Sequence, residues 1–391
     1  MAWDLFGNGR TAVKINGGRY LQNAVADNLY SGTNPIGHIP ISVTRSWIDA
    51  NNNFSPDCDL VNLREQDLRS TGGDVCGTVS DLNFGSPNPS VRYDPALLGG
   101  WGVRPGDWQF GASIQQQVLP RVSVEAGYYR RWLVNFPVED NLAVSPADFD
   151  TFSVRVPADP RLPTAGQTIS GLYDLKPAKF GTRDNYATLA KNYGGQTQMY
   201  NGFLMTVSAR PTGNLTVQVG MNLGNTRFDT CDLRAALPET APLNPYCDWS
   251  TGIEARITGL ASYLVPKVNV SVSSTFRSDQ GQRLEANRGY STAEIAPTLG
   301  RPLSGSAPNA TVNLVEPGSM YGDRLNVLDM RFAKIVRFGG TRTNVGFDVY
   351  NILNRNPVIT NNFAFVPGGT WLRPDAILSA RFVRFSAVVD F

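Results

Sequence analysis

The sequence predicts an all-β chain: an antiparallel, up-and-down meander of about eleven long strands, of the kind that forms part of a transmembrane barrel with long extracellular loops. Three observations carry that expectation. Apolar and polar residues alternate with period two over long stretches. The connections between those stretches alternate between tight turns and long loops. No uninterrupted apolar run approaches the ~18–20 residues that a spanning helix needs, which excludes a helical membrane protein.

Composition points the same way. A chain of 391 residues exceeds the roughly 250–300 at which a single core stops growing. Charged residues make up 17%, below the ~25% of typical soluble domains. Glycine (38) and proline (26) punctuate the sequence heavily. A net charge of +2 exerts no overall pull toward nucleic acid, and the arginines spread along the strands without forming a basic cluster. Met1 opens no basic, apolar, small-residue leader.

The strands are expected at 2–6, 11–20, 107–118, 121–135, 197–210, 214–228, 253–265, 267–278, 323–337, 341–353 and 376–391. Trp108, Phe110, Ala112 and Ile114 alternate with Gln109, Gly111, Ser113 and Gln115. Val122, Val124, Ala126 and Tyr128 alternate with Ser123, Glu125, Gly127 and Tyr129. The pattern recurs from Leu215 to Gly224, from Val268 to Ser273 and from Asn344 to Val349. Each strand therefore has one oily and one wet side. Gly7-Asn8-Gly9-Arg10, Leu119-Pro120, Pro211-Thr212-Gly213, Val265-Pro266-Lys267 and Phe338-Gly339-Gly340 read as tight hairpins. The intervening connections run to tens of residues.

Two architectures put such faces on strands. In a soluble antiparallel sandwich the oily sides share a core; in a transmembrane barrel they meet lipid and the wet sides line the lumen. Sorting all tight turns to one end and all long loops to the other is the asymmetry of outer-membrane barrels, which have short periplasmic turns. Most of the strands, at 12–16 residues by these bounds, also exceed the ~9–11 that a tilted span needs. Tyr20, Trp101, Trp108, Tyr128, Tyr129, Trp132, Tyr200 and Tyr263 lie near strand ends, as interfacial girdles do, although cross-strand packing explains some of them equally well.

At the carboxy end Val383, Phe385, Ala387, Val389 and Phe391 share one face. This resembles the terminal insertion signal of bacterial outer-membrane proteins that the barrel-assembly machinery reads; an ordinary last strand is the alternative. With Phe391 at the periplasmic end, an odd number of antiparallel strands puts Met1 outside. The expectation is then a C-terminal portion, with plug domain and signal peptide outside 1–391.

Several segments carry a family resemblance. "AWDLFGNGRTAVKINGGRY", "RLNVLDMRFAKI", "DVYNILNRNPV" and the terminal "RFVRFSAVVDF" resemble the C-terminal barrel half of large TonB-dependent receptor-like proteins, most closely the acidobacterial type with a carboxypeptidase-regulatory-like N-terminal domain. The resemblance runs from Trp3 to Phe391. It implies half of a 22-stranded barrel, an N-terminal plug, and energised uptake driven by the TonB complex, with a Gram-negative outer-membrane location, extracellular loops and a periplasmic C-terminus. A plug and a TonB-contacting box are not recognisable in these residues.

The four cysteines form two close pairs, Cys58 with Cys76 and Cys231 with Cys247, each inside one expected loop. Without CxxC spacing, and with His38 as the only histidine, disulfides at an oxidising cell surface are expected rather than zinc. Asp49, Asn51 and Asn53 match the first three positions of a calcium loop, but glycine is missing at the sixth position and Leu60 stands at the twelfth. An Asn/Asp-rich turn is the plainer reading, so no cofactor beyond this calcium candidate is expected. Gln109, Gln115, Glu125, Arg131, Gln218, Arg256, Asn269, Arg277, Arg331, Asp348 and Arg384 are candidates to line a lumen, or simply to meet water or a plug. Enzyme signatures are absent: no phosphate-binding glycine loop occurs, and His38 has no nucleophile context.

The function expected is uptake of a nutrient such as a glycan fragment or metal chelate. The alternatives are a surface-binding or structural outer-membrane protein that presents disulfide-stapled loops, and a soluble lectin-like β-sandwich.

Overall fold

The computed structural model describes residues 1–22, 39–86 and 91–390. Eleven strands follow the chain: β1 (Ala2–Asp4), β2 (Thr11–Leu21), β3 (Gly106–Leu119), β4 (Val122–Val134), β5 (Thr197–Thr212), β6 (Leu215–Asp229), β7 (Glu254–Val265), β8 (Val270–Asp279), β9 (Leu325–Phe338), β10 (Thr341–Tyr350) and β11 (Phe382–Asp390). They pair in sequence order into one antiparallel sheet, with the short strand Asp248–Ser250 added beside β6. Among the described residues no ladder joins β1 to β11.

Because every neighbour is antiparallel and consecutive, successive connections fall at opposite ends of the sheet. The connections 5–10, 120–121, 213–214, 266–269 and 339–340 share one end. The connections 22–105, 135–196, 230–253, 280–324 and 351–381 share the other. Gly7 and Gly9, at φ 68° and 70°, supply the left-handed backbone that the first tight turn requires.

Register assigns the faces. Phe332 lies opposite Phe347, and Phe347 opposite Phe385, so one aromatic row crosses β9, β10 and β11 on the oily side. Its ring centroids are 6.4 and 5.2 Å apart. No second sheet covers this side among the described residues: Ile114, Val345 and Phe385 remain 46, 47 and 77% exposed. The soluble sandwich expected as an alternative would bury these groups, and the structure does not.

The extensive apolar core lies instead in the long connections. Phe152, Val154, Leu172, Ile295, Val312, Leu314, Phe365 and Trp371 are buried together, drawn from the connections 135–196, 280–324 and 351–381. The hairpins Phe149–Arg155/Thr168–Leu175 and Asn287–Ser291/Asn309–Asn313 frame that core, together with helix Thr292–Leu299. Ser291 and Glu294 form a capping box at the start of this helix. Each fully buried aliphatic side chain contributes about 1.5–3 kcal/mol relative to exposure, so the loops are a folded layer.

Some expected boundaries are corrected. The strand expected over 341–353 ends at Tyr350, because Asn351 and Asn354 turn left-handed at φ 49° and 50°. The segment expected to open the last strand at 376 is instead part of Pro374–Ile377, which pairs with Val358–Asn361 in a loop hairpin. β8 starts at Val270, because Lys267 and Asn269 take positive φ in the turn; Val268 and Asn269 therefore lie outside the strand alternation.

Candidate functional site: the polar sheet face and the loop layer

Period-two alternation across ten ladders gathers polar groups on one side of the sheet. Gln109 faces Arg131, and Gln115 faces Glu125, across β3 and β4. Gln218 belongs to the same face through Ser208 of β5 and Ser123 of β4. Asn222 and Arg256 continue it, as do Thr258 and Arg277, and Arg331, Asp348 and Arg384 complete it across β9 to β11. Gln109, Gln115, Glu125, Arg131, Gln218, Arg256, Arg277, Arg331, Asp348 and Arg384 thus share one surface. Asn269 does not join them.

Charges on this surface are matched in small groups. Lys14 pairs with Glu125 at 2.9 Å, and Glu125 also accepts from the Ser113 hydroxyl at 2.8 Å. Asp107 accepts from Arg131 at 2.7 Å and from Gln109 at 2.8 Å. Asp348, 5% exposed, lies between Arg331 at 2.9 Å and Arg384 at 3.0 Å. Asp279 pairs with Arg256 at 3.0 Å and also with Arg277. In these last two groups one carboxylate holds two guanidiniums and leaves an excess positive charge on the wall. Lys14, Asp107 and Asp279 were not singled out in the sequence, although Asp107 shares the alternation phase of Gln109.

Aromatic groups shape the same surface. The Tyr200 ring lies over Gly202 and Gly224, where any Cβ would run into it, and its hydroxyl donates to Asn222 at 2.8 Å. Tyr129 covers Gly111 in the same way. A cavity of about 470 Å³ is lined by Asn16, Gln109, Tyr129, Arg131, Tyr200 and Asn222 from five consecutive strands, so the sheet curves around its polar side here. Of the expected girdle, Tyr20, Tyr129 and Tyr200 therefore belong to the polar face by register, and Trp101 lies in a connection. Trp108 and Trp132 are outward near the loop end and Tyr263 is outward near the turn end, whereas Tyr128 is outward at the middle of β4.

In the loop layer the structure joins Cys58 to Cys76 and Cys231 to Cys247, with Cα separations of 6.0 and 4.8 Å. Asp49, Asn51 and Asn53 form an Asx-rich turn. Asp49 accepts from the amides of Asn53 and Phe54 at 3.2 and 3.0 Å, and Asn51 Oδ1 accepts from Asn53 N at 3.0 Å. Their oxygens point at backbone N–H groups. Val383, Phe385, Ala387 and Val389 share the outward face of β11; Phe391 and His38 lie outside the described residues.

A second cavity, of about 600 Å³, opens between loops and is lined by Ser80, Glu139, Phe180, Arg183, Asn185 and Glu239. Burial raises the carboxyl pKa of Glu139 against the pull of Arg183. Burial also raises that of Glu239, with Asp140 adding to the effect. Beside them, burial and the hydrogen bond to Asp140 push the Tyr193 hydroxyl up to about 12.

No family model and no curated protein matches the chain. Among solved structures, the outer membrane transporter YddB from Escherichia coli is similar over 99% of this chain and 39% of its own, with 11% identity and a TM-score of 0.48. The ferric-catecholate import receptor Fiu of E. coli K12 is similar over 100% of this chain and 34% of its own (12% identity, TM-score 0.38). The ferripyoverdine receptor of the outer membrane of Pseudomonas aeruginosa is similar over 72% of this chain and 27% of its own (10% identity, TM-score 0.38). What this chain is similar to is thus a part, well under half, of each of three outer-membrane transporters and receptors.

Proposed function

We propose that the chain is a barrel portion of a TonB-dependent receptor-like outer-membrane protein, with its loop layer capturing a solute outside the cell and its polar face lining the way in. One observation carries this reading: the sheet leaves its apolar face uncovered while the buried apolar core sits in the connections at one end. In water such a face is a liability, whereas against hydrocarbon it is the stable arrangement. The matched charges on the opposite face suit a hydrated lumen, where exposed pairs hold wall residues in place without closing the path. The family resemblance of the strand segments points the same way, and it supplies coupling to the TonB complex and assembly by the barrel-assembly machinery as parts of the proposal. The solute is a nutrient such as a glycan fragment or metal chelate.

The test is fractionation of cells that express the full-length protein. Recovery in the outer membrane, extraction only by detergent, and gel mobility that changes on boiling are expected. Release by high salt or carbonate would overturn the reading. Energised uptake is tested separately, by loss of solute accumulation when the inner-membrane proton gradient is collapsed.

A surface-binding role without uptake is favoured by a different observation, the independent core and two disulfides of the loop layer. Solute capture that persists unchanged without the proton gradient, and with no accumulation inside, would select that role.

A further inference from the structure

Two guanidiniums stand on the outward, apolar side of the sheet, where carboxylate partners are missing among the described residues. Trp108 and Trp132 lie directly opposite each other on β3 and β4, on the outward face near the loop end. Arg19 on β2 stacks over Trp108, with its guanidinium 5.8 Å from the ring centroid. Arg130, one row below, stacks over Trp132 at 5.6 Å. Among the described residues, Arg19 donates only to the Gly102 carbonyl, and Arg130 only to the Met199 thioether, which is a weak acceptor. The contrast is Arg227, outward on β6, which is neutralised by Asp248 at 2.8 Å. From Arg130 to the turn end, the outward positions of β2 to β5 carry no charge. A groove of about 670 Å³, lined by Phe110, Arg130, Trp132 and Met199, opens beside the cluster.

We infer that this cluster is a binding site for the phosphorylated headgroup of an outer-leaflet lipid. The inference rests on the outward face being the lipid-facing one. Arginine offers paired donors matched to phosphate oxygens, and tryptophan favours the boundary between hydrocarbon and headgroups. An unneutralised guanidinium at that depth gains most from an anion that arrives with its own acyl chains, which the uncharged strip below Arg130 can carry.

The intact protein, purified in detergent, is titrated with diphosphorylated lipid A and with zwitterionic phosphatidylcholine, and the adducts are read by native mass spectrometry. Retention of lipid A is expected, with affinity falling roughly fivefold for R19Q or R130Q and roughly 30-fold for the double variant. R227Q is expected to bind like the parent, and phosphatidylcholine is expected to bind all forms alike. Should the double glutamine variant fail to insert, the double lysine variant keeps the charge while losing the paired donors, and an intermediate affinity is expected. Undiminished lipid A binding by both double variants would overturn the inference, as would inorganic pyrophosphate displacing the adduct at the concentrations at which lipid A binds. A protein that needs detergent but shows insensitive adducts fails this inference alone; a protein that salt releases from membranes fails the membrane reading itself.

Discussion

The Trp47 indole N–H donates to the Asp74 carboxylate at 2.6 Å inside the first long connection, where Asp74 is completely buried. The amides of Ala50 and Asp57 reach the same carboxylate at 2.9 and 3.1 Å. One acid thus ties together the strand Arg45–Ile48, the turn after it and the approach to the Cys58–Cys76 bond.

The Trp47 hydrogen bond holds the Asp74 carboxyl below the usual carboxylate range, against the opposing effect of burial and with help from the two amides. A lowered native pKa means the contribution is fully present above the unfolded value of about 3.9 and is lost as pH falls through the native value. Amide hydrogen exchange in residues 45–79, measured against the rate of the unstructured chain at the same pH, is expected to be strongly protected at neutral pH and to lose that protection under strongly acid conditions. Asp74→Asn is expected to speed it already at neutral pH. Equal protection of parent and variant would contradict this role.

Replacing Cys58 and Cys76, or Cys231 and Cys247, with serine removes closures of 18 and 16 residues. Loops of that size correspond to roughly 3 kcal/mol of closure entropy. Each pair of substitutions is expected to render its own connection protease-sensitive while the strands stay protected, because the bonds lie outside the eleven-strand ladder. Limited proteolysis followed by peptide mapping checks this.

Asp348 is nearly buried between two arginines, so Asp348→Ala strands two positive charges that face each other across three strands. A loss of about 1–3 kcal/mol is expected, as for a buried acceptor removed from its donors. Asp348→Asn retains an acceptor and is expected to lose less. The temperature at which the boiled and unboiled gel forms interconvert reads the difference.

A charge placed on the outward aromatic row is expected to oppose insertion. Phe347→Lys lies centrally in that row, and the cost for lysine near the bilayer midplane is about 2–4 kcal/mol. Thr275→Lys, on the polar side of β8, is expected to insert normally. Comparing the carbonate-resistant, detergent-extractable membrane fractions of the two variants tests the face assignment directly; equal insertion would refute it.

Much of the sheet was legible because its signals are local. Alternation of period two identifies a strand and its two faces from a handful of neighbouring residues, which is why Gln109, Arg131, Asp348 and Arg384 could be placed on one wall without coordinates. Tight turns announce themselves through Gly7, Gly9 and Pro120 for the same reason. The terminal strand shows where this fails. Ile377 looks like its continuation in the linear pattern, yet it pairs with Val358 in a separate hairpin, and only the partner strand decides that.

Of the loop layer, the two disulfide pairings and the Asn/Asp-rich turn were legible, but its apolar core was not. Val154, Leu172, Val312, Leu314 and Trp371 come from three connections separated by whole hairpins, and none lies in a segment whose own periodicity reveals what it will meet. Strand identity, face and connection asymmetry were determined by the sequence alone, since these depend on steric and solvation preferences of adjacent residues. Which connections condense together, which arginines share Asp348 or Asp279, and which two stand over Trp108 and Trp132 were decided only by the tertiary structure. Those contacts depend on how the curved sheet brings distant strands and loops to the same place, and no short window of sequence contains that distance.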